Sequence, residues 1–554
     1  MTSTIKVDTI SENTSANGVA VDGVTIKDGA VGATGTATSV AGIPFFSDVT
    51  NGSIYTHDVS GTDNTAQFNT GYGLTALDAI TTGDYNTTIG YAAGGALNTG
   101  ANNTLIGRNS GLVMTSAGNN VGVGRDTLQS ATDSNDNVAI GYGALRDTTT
   151  GAANVGVGAL ALEENISGTR NVAVGFQALE NPDTENDNTA IGYEALGGAI
   201  AGGEFNVAVG NYSLDALTSG DSNTAIGYNA GSSIISSTLN TFVGWEAGKT
   251  LTVTGNVNTG VGVSALQAMT TGNQNTAFGG NAGYSLTSAA DTVLIGHNAG
   301  DAITIGSQNV AVGQNALGAA VVERRNIAIG NNALAAHRTT SSTVNDTGNT
   351  AVGFFAGAQI TTGGGNTAVG QNALATRLTT GSNNVGIGTG VNMNNSGNSN
   401  GIVIGHNIEG NADRVVFGKA SNVVENTFTS NANWAQSSDQ RLKTNITDND
   451  LGLDFINELP TKTYKWKASN DLDQDDSQLA KRYNAENLMD TDVLMYGMMA
   501  QDVKDAIIKY NHPNFTGWSE DAYGVQNISR EMFIIPLIKA VQELSAKVKA
   551  LEEA

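Results

Sequence analysis

The feature that most constrains this chain is a glycine that returns nearly every 17 residues from Gly73 to Gly405. It closes a short motif, seen in NVAVG (171–175), NTAIG (188–192), NVAVG (206–210) and NTAIG (223–227). There are twenty copies; a few steps are 18 residues and one is 23, where RTTSSTVNDTG (338–348) reads as a loop insertion. No strict G-X-Y period exists, so the 71 glycines do not make a collagen.

Each copy reads as one short strand. The residue before the glycine is Ile or Val in 18 of 20 copies, and the one before that is Ala or Gly in 15 of 20. Alternation along a strand then makes one face β-branched and the other small. The glycine marks a backbone turn that excludes a Cβ, and the Asn that opens most copies is expected to close turns or to ladder between rungs. A weaker apolar pair follows, often Ala-Leu, as in Ala144 and Leu145.

One such unit buries almost nothing alone, so the copies must stack into a solenoid. At about 4.8 Å per rung, twenty rungs make a rod of roughly 95 Å. A three-sided left-handed β-helix and a two-sided β-roll both fit the period. The thin core favours the roll, with three chains side by side burying their small-residue faces. The repeats, over residues 69 to about 405, resemble the head domains of trimeric bacterial adhesins, whose NxAxG-type copies form a left-handed β-roll trimer; similar tracts occur in phage tail fibres.

Composition excludes several alternatives. The net charge is −25 and cysteine is absent, so the surface repels nucleic acid and anionic lipid and no disulfide staples the fold. No 18-residue apolar run supports membrane insertion. MTSTIKVDTI lacks the basic start and apolar run of a signal peptide, so synthesis in a host cytoplasm is expected. Residues 438–554 hold 13 of the 26 Lys and Arg, which sets a boundary near 437.

The expected order is therefore a segment at 1–45, a connector at 46–68, the shaft at 69–418, a linker or tip at 419–437 and a separate domain at 438–554. STIKVDTISENTSANGVAVDGVTIKDGAV (3–31) alternates apolar and polar residues in short runs, as strands do. It resembles the N-terminal segment of tail-fibre-like proteins of marine phages, which implies attachment to a virion tail or baseplate protein. A plain β cap on the solenoid is the competing reading.

The last domain contains SDQRLKTNI (438–446), LDFINELPTKTYKWK (453–467), YGMMAQDV (496–503) and IIPLIKAVQELSAKVKALEEA (534–554). In this order they resemble the intramolecular chaperone domain of phage tail spikes and fibres, the peptidase S74 family typified by endosialidase tail spikes. The resemblance implies a domain that assembles a homotrimer and then cuts itself off once, at a serine served by a lysine. The family's serine falls on Ser438 and its lysine on Lys443, with cleavage at a bond adjoining Ser438. A serine hydroxyl needs a base, and a lysine serves when burial lowers its pKa. Asp439 and Arg441 either position the segment or form a solvated ion pair. Ile534, Leu537, Val541, Leu544, Val548 and Leu551 alternate 3 and 4 apart, the seam of a coiled coil; a single helix packed on its own domain is the other reading. Tyr464 and Trp466 are expected in the domain core.

No metal-ligand spacing and no cofactor motif stands out. His297 and His406 each follow a repeat glycine and read as rung residues. Carboxylates are scarce at fixed rung positions, so no glycan-degrading activity is expected. The expected fold is mainly β: a trimeric β-solenoid shaft with a C-terminal α+β chaperone domain ending in a coiled-coil helix. The expected function is a virion tail fibre that binds a host surface glycan or protein receptor. A bacterial or prophage-derived adhesin and a purely structural spacer fibre are the alternatives.

Overall fold

The computed structural model describes residues 19–21, 24–26, 38–40, 43–48, 51–56, 65–252, 254–339, 343, 345–420, 422–427, 440–467, 492–521 and 524–554. The chain divides into two compact units, Met1–Ser437 and Ser438–Ala554.

The first unit is a β-solenoid. From Thr70–Tyr72 to Val385–Ile387 each coil contributes a three-residue strand to one continuous ladder, and successive strands pair in parallel without slippage, as in Val138↔Val155 and Ala139↔Gly156. The ladder runs from Ser53–Tyr55 through Thr70–Tyr72 to Ile402–His406 and Arg414–Lys419. It is capped by antiparallel strands, Ile43–Asp48 at one end and Asn422–Thr427 at the other. Two antiparallel hairpins, Val19–Val21 with Val24–Ile26 and Thr38–Val40 with Ile43–Asp48, precede it. A few coils add a second, two-residue strand, as Asn181–Pro182 paired in parallel with Ala199–Ile200.

The repeat glycine has a steric cause. Gly279 sits at φ +138°, and a Cβ on it would lie 2.6 Å from the carbonyl oxygen of Gly296 one rung on. Only a glycine lets the turns stack that closely.

The interior of each coil is narrow and fully occupied. In the coil of Gly210 the inward residues are Asn206, Ala208, Ser213, Leu214 and Leu217, all buried. The small residue of the strand therefore points into its own coil, where the Leu of the facing wall fills the space beside it. This corrects the expectation that small-residue faces meet between chains. The β-branched face points outward instead: Ile140, Ile191, Ile226 and Ile295 are all exposed.

Core volume is balanced between positions. Several coils combine Ala in the strand with Leu four residues past the glycine, as Ala139 with Leu145 and Ala208 with Leu214. Leu294 and Phe242 are larger than Ala, and the opposing wall then carries glycine. A Cβ on Gly283 or Gly300 would come within 2.8 or 2.7 Å of the Leu294 side chain. Gly231 and Gly248 flank Phe242 in the same way.

The opening Asn of each copy forms a buried column. The Oδ1 of Asn206 accepts from the backbone N–H of Asn223 (2.9 Å), while the Nδ2 of Asn223 donates to the Ser237 carbonyl (2.8 Å). The arrangement repeats up the rod, for example at Asn120, Asn137 and Asn154. At the 23-residue step a buried Glu323 closes the enlarged turn. Its carboxylate accepts from the amides of Val321 and Val322 and from Oγ1 of Thr339. Thr339 lies at the edge of the insertion.

The second unit is a small α+β domain. It has helices Leu453–Asn457, Ala500–Lys509 and Ile534–Glu552, and antiparallel strand pairs Lys462–Tyr464 with Met495–Gly497 and Trp518–Glu520 with Gln526–Ile528. Among the described residues, no helix is long and apolar enough to cross a membrane.

Candidate processing site

The site segment leads into the second unit. Gln440–Leu442 makes one 3₁₀ turn, and the Lys443 amide donates back to the Gln440 carbonyl at 3.1 Å. Arg441 and Lys443 are exposed on this turn. Ser438 and Asp439 lie outside the described residues, so the geometry places the lysine of the expected dyad and one of its two neighbours.

Residues 449–453 anchor the turn to the domain. Asn449 bends the chain, its Nδ2 donating to the Leu451 carbonyl at 2.9 Å. Leu451 is buried, and Asp450 lies 3.1 Å from the Nε2 of His512. The Leu453 amide donates to Oε2 of Glu543 at 2.8 Å, which caps an otherwise uncapped helix start. Sequence reading missed both ties, because their partners are some sixty and ninety residues away and carry no local pattern.

The domain core is aromatic. Phe455 lies edge-on to Tyr510 and Phe515, at 5.8 and 5.7 Å between centroids, and Phe515 packs edge-on against Phe533 at 5.2 Å. Leu451, Leu459, Val503, Ala506 and Ile507 complete it. Tyr464 and Trp466 are not part of it, which corrects the sequence expectation. They meet edge-to-face at 5.7 Å, and Trp466 is exposed. Tyr464 ends the strand Lys462–Tyr464 and Trp466 follows two residues on, both outside the aromatic cluster around Phe455.

The helix Ile534–Glu552 packs on the domain through Pro536, Ala540 and Glu543. Pro536 falls in its first turn, where no intrahelical amide bond is lost. Every seam position is left exposed: Ile534, Leu537, Val541, Leu544, Val548 and Leu551 each show 45% or more of their surface. The helix therefore packs on its own domain and still presents an unpartnered heptad stripe.

These observations come together at one stretch of chain. Residues 438–511 match the Peptidase S74 family model, described as chaperone of endosialidase. The match opens at Ser438 and ends before the C-terminal helix. No curated protein and no solved structure matches the chain. A chaperone-of-endosialidase segment behind a β-solenoid shaft is the organisation of a fibre with an intramolecular chaperone domain. The family that this segment matches is named as a peptidase family.

Proposed function

We propose that this chain is a phage tail fibre that assembles as a homotrimer, and that its C-terminal domain drives the assembly and then removes itself. The match of residues 438–511 to the chaperone of endosialidase carries this reading. Ser438 is the nucleophile and Lys443 its base, with Arg441 and Asp439 setting the segment between them. The bond broken adjoins Ser438. The N-terminal segment attaches to a virion tail or baseplate protein, and the mature shaft meets a surface glycan or protein of the host.

Two surfaces support three chains. The exposed heptad stripe of Ile534–Glu552 is the seam of a parallel coil. Along the shaft, the three-residue strands from Thr70–Tyr72 to Val385–Ile387 carry only Thr, Val, Ile, Tyr or Phe at their outward positions. A charge-free stripe of that length on an acidic protein calls for cover, and two further copies of the same stripe provide it.

Assembly also supplies what the lysine needs. A lysine acts as a base when burial disfavours its charge, and Lys443 is exposed on the single chain. Trimerisation that covers the 3₁₀ turn would activate it, so that cleavage reports completed assembly. The shaft that remains is held kinetically.

Intact mass of the purified protein tests this. Wild type should separate into pieces of roughly 437 and 117 residues, while Ser438→Ala and Lys443→Ala stay whole and trimeric. Wild type that folds, trimerises and stays whole would remove the peptidase activity and leave a non-cleaving chaperone.

A further inference from the structure

Five successive rungs of the shaft carry an aromatic side chain shortly after the repeat glycine: Phe176, Tyr193, Tyr228 and Trp245 directly after it, and Tyr212 one residue further on. Their strands stack in strict register, so the rings of Phe176, Tyr193, Tyr212 and Tyr228 form a column along the shaft, with Trp245 on the next rung. Phe176 and Tyr193 are 5.3 Å apart and nearly parallel, Tyr193 and Tyr212 are 5.4 Å apart, and Tyr212 and Tyr228 are 5.9 Å apart with rings nearly perpendicular. The column is not core: Phe176, Tyr193, Tyr228 and Trp245 keep between 39% and 48% of their surface. In the next rungs, from Gly262 to Gly330, the residue after the glycine is Val, Gly, His, Gln or Asn. Elsewhere the aromatics that directly follow a repeat glycine, Tyr91, Tyr142 and Phe354, stand on isolated rungs, so the unbroken run is local.

We propose that this column is a binding surface for a neutral glycan chain. This deepens the fibre reading by locating its receptor contact, and it rests on that reading. Three observations favour this occupant. The rings recur at about the length of one sugar ring, so an extended oligosaccharide lying along the fibre meets a ring at each residue. Rings turned to different angles offer both faces and edges, which suits the apolar C–H faces of pyranoses. Hydrogen-bonding groups border the column: Glu194 follows Tyr193 in the chain, and the Oδ1 of Asn211 accepts from the Tyr193 amide at 3.0 Å. Charge selects the class. A chain of net charge −25 repels acidic polysaccharides and nucleic acid, though bases would also stack on such rings.

The test uses the full-length protein and a triple variant, Tyr193→Ser, Tyr228→Ser and Trp245→Ser. Probes are hexasaccharides of glucose, mannose, galactose and N-acetylglucosamine, with heparin as the acidic counter-probe. At least one neutral hexasaccharide should bind wild type, and the triple variant should bind it at least tenfold more weakly while keeping wild-type mass and melting temperature. Three results would overturn the proposal: no neutral probe binding to wild type, equal binding by the variant, or stronger binding of heparin. Loss of the trimer in the variant would overturn it too, by making the column a subunit contact. Wild-type oligomeric state and cleavage are read on the same samples, so failure of the fibre reading shows separately.

Discussion

At the scale of the residue, the repeat is held by groups that have one permitted answer. Each column asparagine must accept on one side and donate on the other, which neither Asp nor Ala does. Asn223→Ala leaves the amide of Asn240 and the carbonyl of Ser237 unpaired in the interior. Each unmet group costs about 1–3 kcal/mol. Because rungs answer mainly to their neighbours, the loss should appear as faster amide exchange confined to rungs 206–240. The asparagine and the glycine were legible from recurrence alone, since both roles are set within one copy and its neighbour. His337 was not. It occupies an inward position filled by Ile303 and Ile360 in nearby coils, and it is buried. Its Nε2 lies 3.0 Å from the Thr347 hydroxyl. Burial pulls its pKa below the usual imidazole value, against the opposing pull of Glu323. The opened rung therefore takes up the proton first. Stability of this rung should be intact above about pH 6.5 and decline as pH falls through that value. Protease nicking near 338–348 between pH 8 and pH 5 reads this directly, and His337→Leu should flatten the dependence.

At the scale of the element, each coil is a compromise of volume between a strand residue and the wall that faces it. The Ala and Leu that follow the glycine were visible in the sequence; the matching of that Leu to the strand residue, and its exchange for Gly beside Leu294 and Phe242, were not, because the partners are not adjacent positions. Leu294→Ala should open a cavity between Gly283 and Gly300, neither of which carries a side chain to collapse into it. The expected cost is about 2–5 kcal/mol, seen as a lower denaturant midpoint for the processed shaft. An Ala at that position in a coil with Leu opposite, such as Ala311, costs nothing because the space is already filled. The inward direction of the strand was equally hidden. A three-residue strand alternates the same way whichever face is buried, and only the closed coil shows that the small residue is the one inside. In the C-terminal domain the heptad stripe was legible from spacing, whereas the ties of Glu543 and His512 depend on tertiary contacts that leave no periodic mark.

At the scale of the whole molecule, the question is what keeps a rod with so thin a core in one register. Parallel pairing within one chain fixes each rung against the next, but it leaves the outward stripe of Val, Ile and Thr facing water along the full shaft. Three stripes brought together remove that surface and set the chains against one another. Nothing in the uniform repeat says which rung meets which, so in the trimer proposed above the heptad helix and the domain before it would set the alignment before the stripes close. Charge placed within the stripe tests this without touching any coil interior. Val243→Lys with Val312→Lys substitutes outward, partly exposed positions. A closed trimer would then have to bury three like charges at each of two levels. The processed wild-type shaft should stay trimeric in warm detergent, while the doubly substituted shaft should scatter light as single chains with an unchanged β-sheet circular dichroism signal. A doubly substituted shaft that stays trimeric under the same conditions would mean that the chains meet through some other face of the rod.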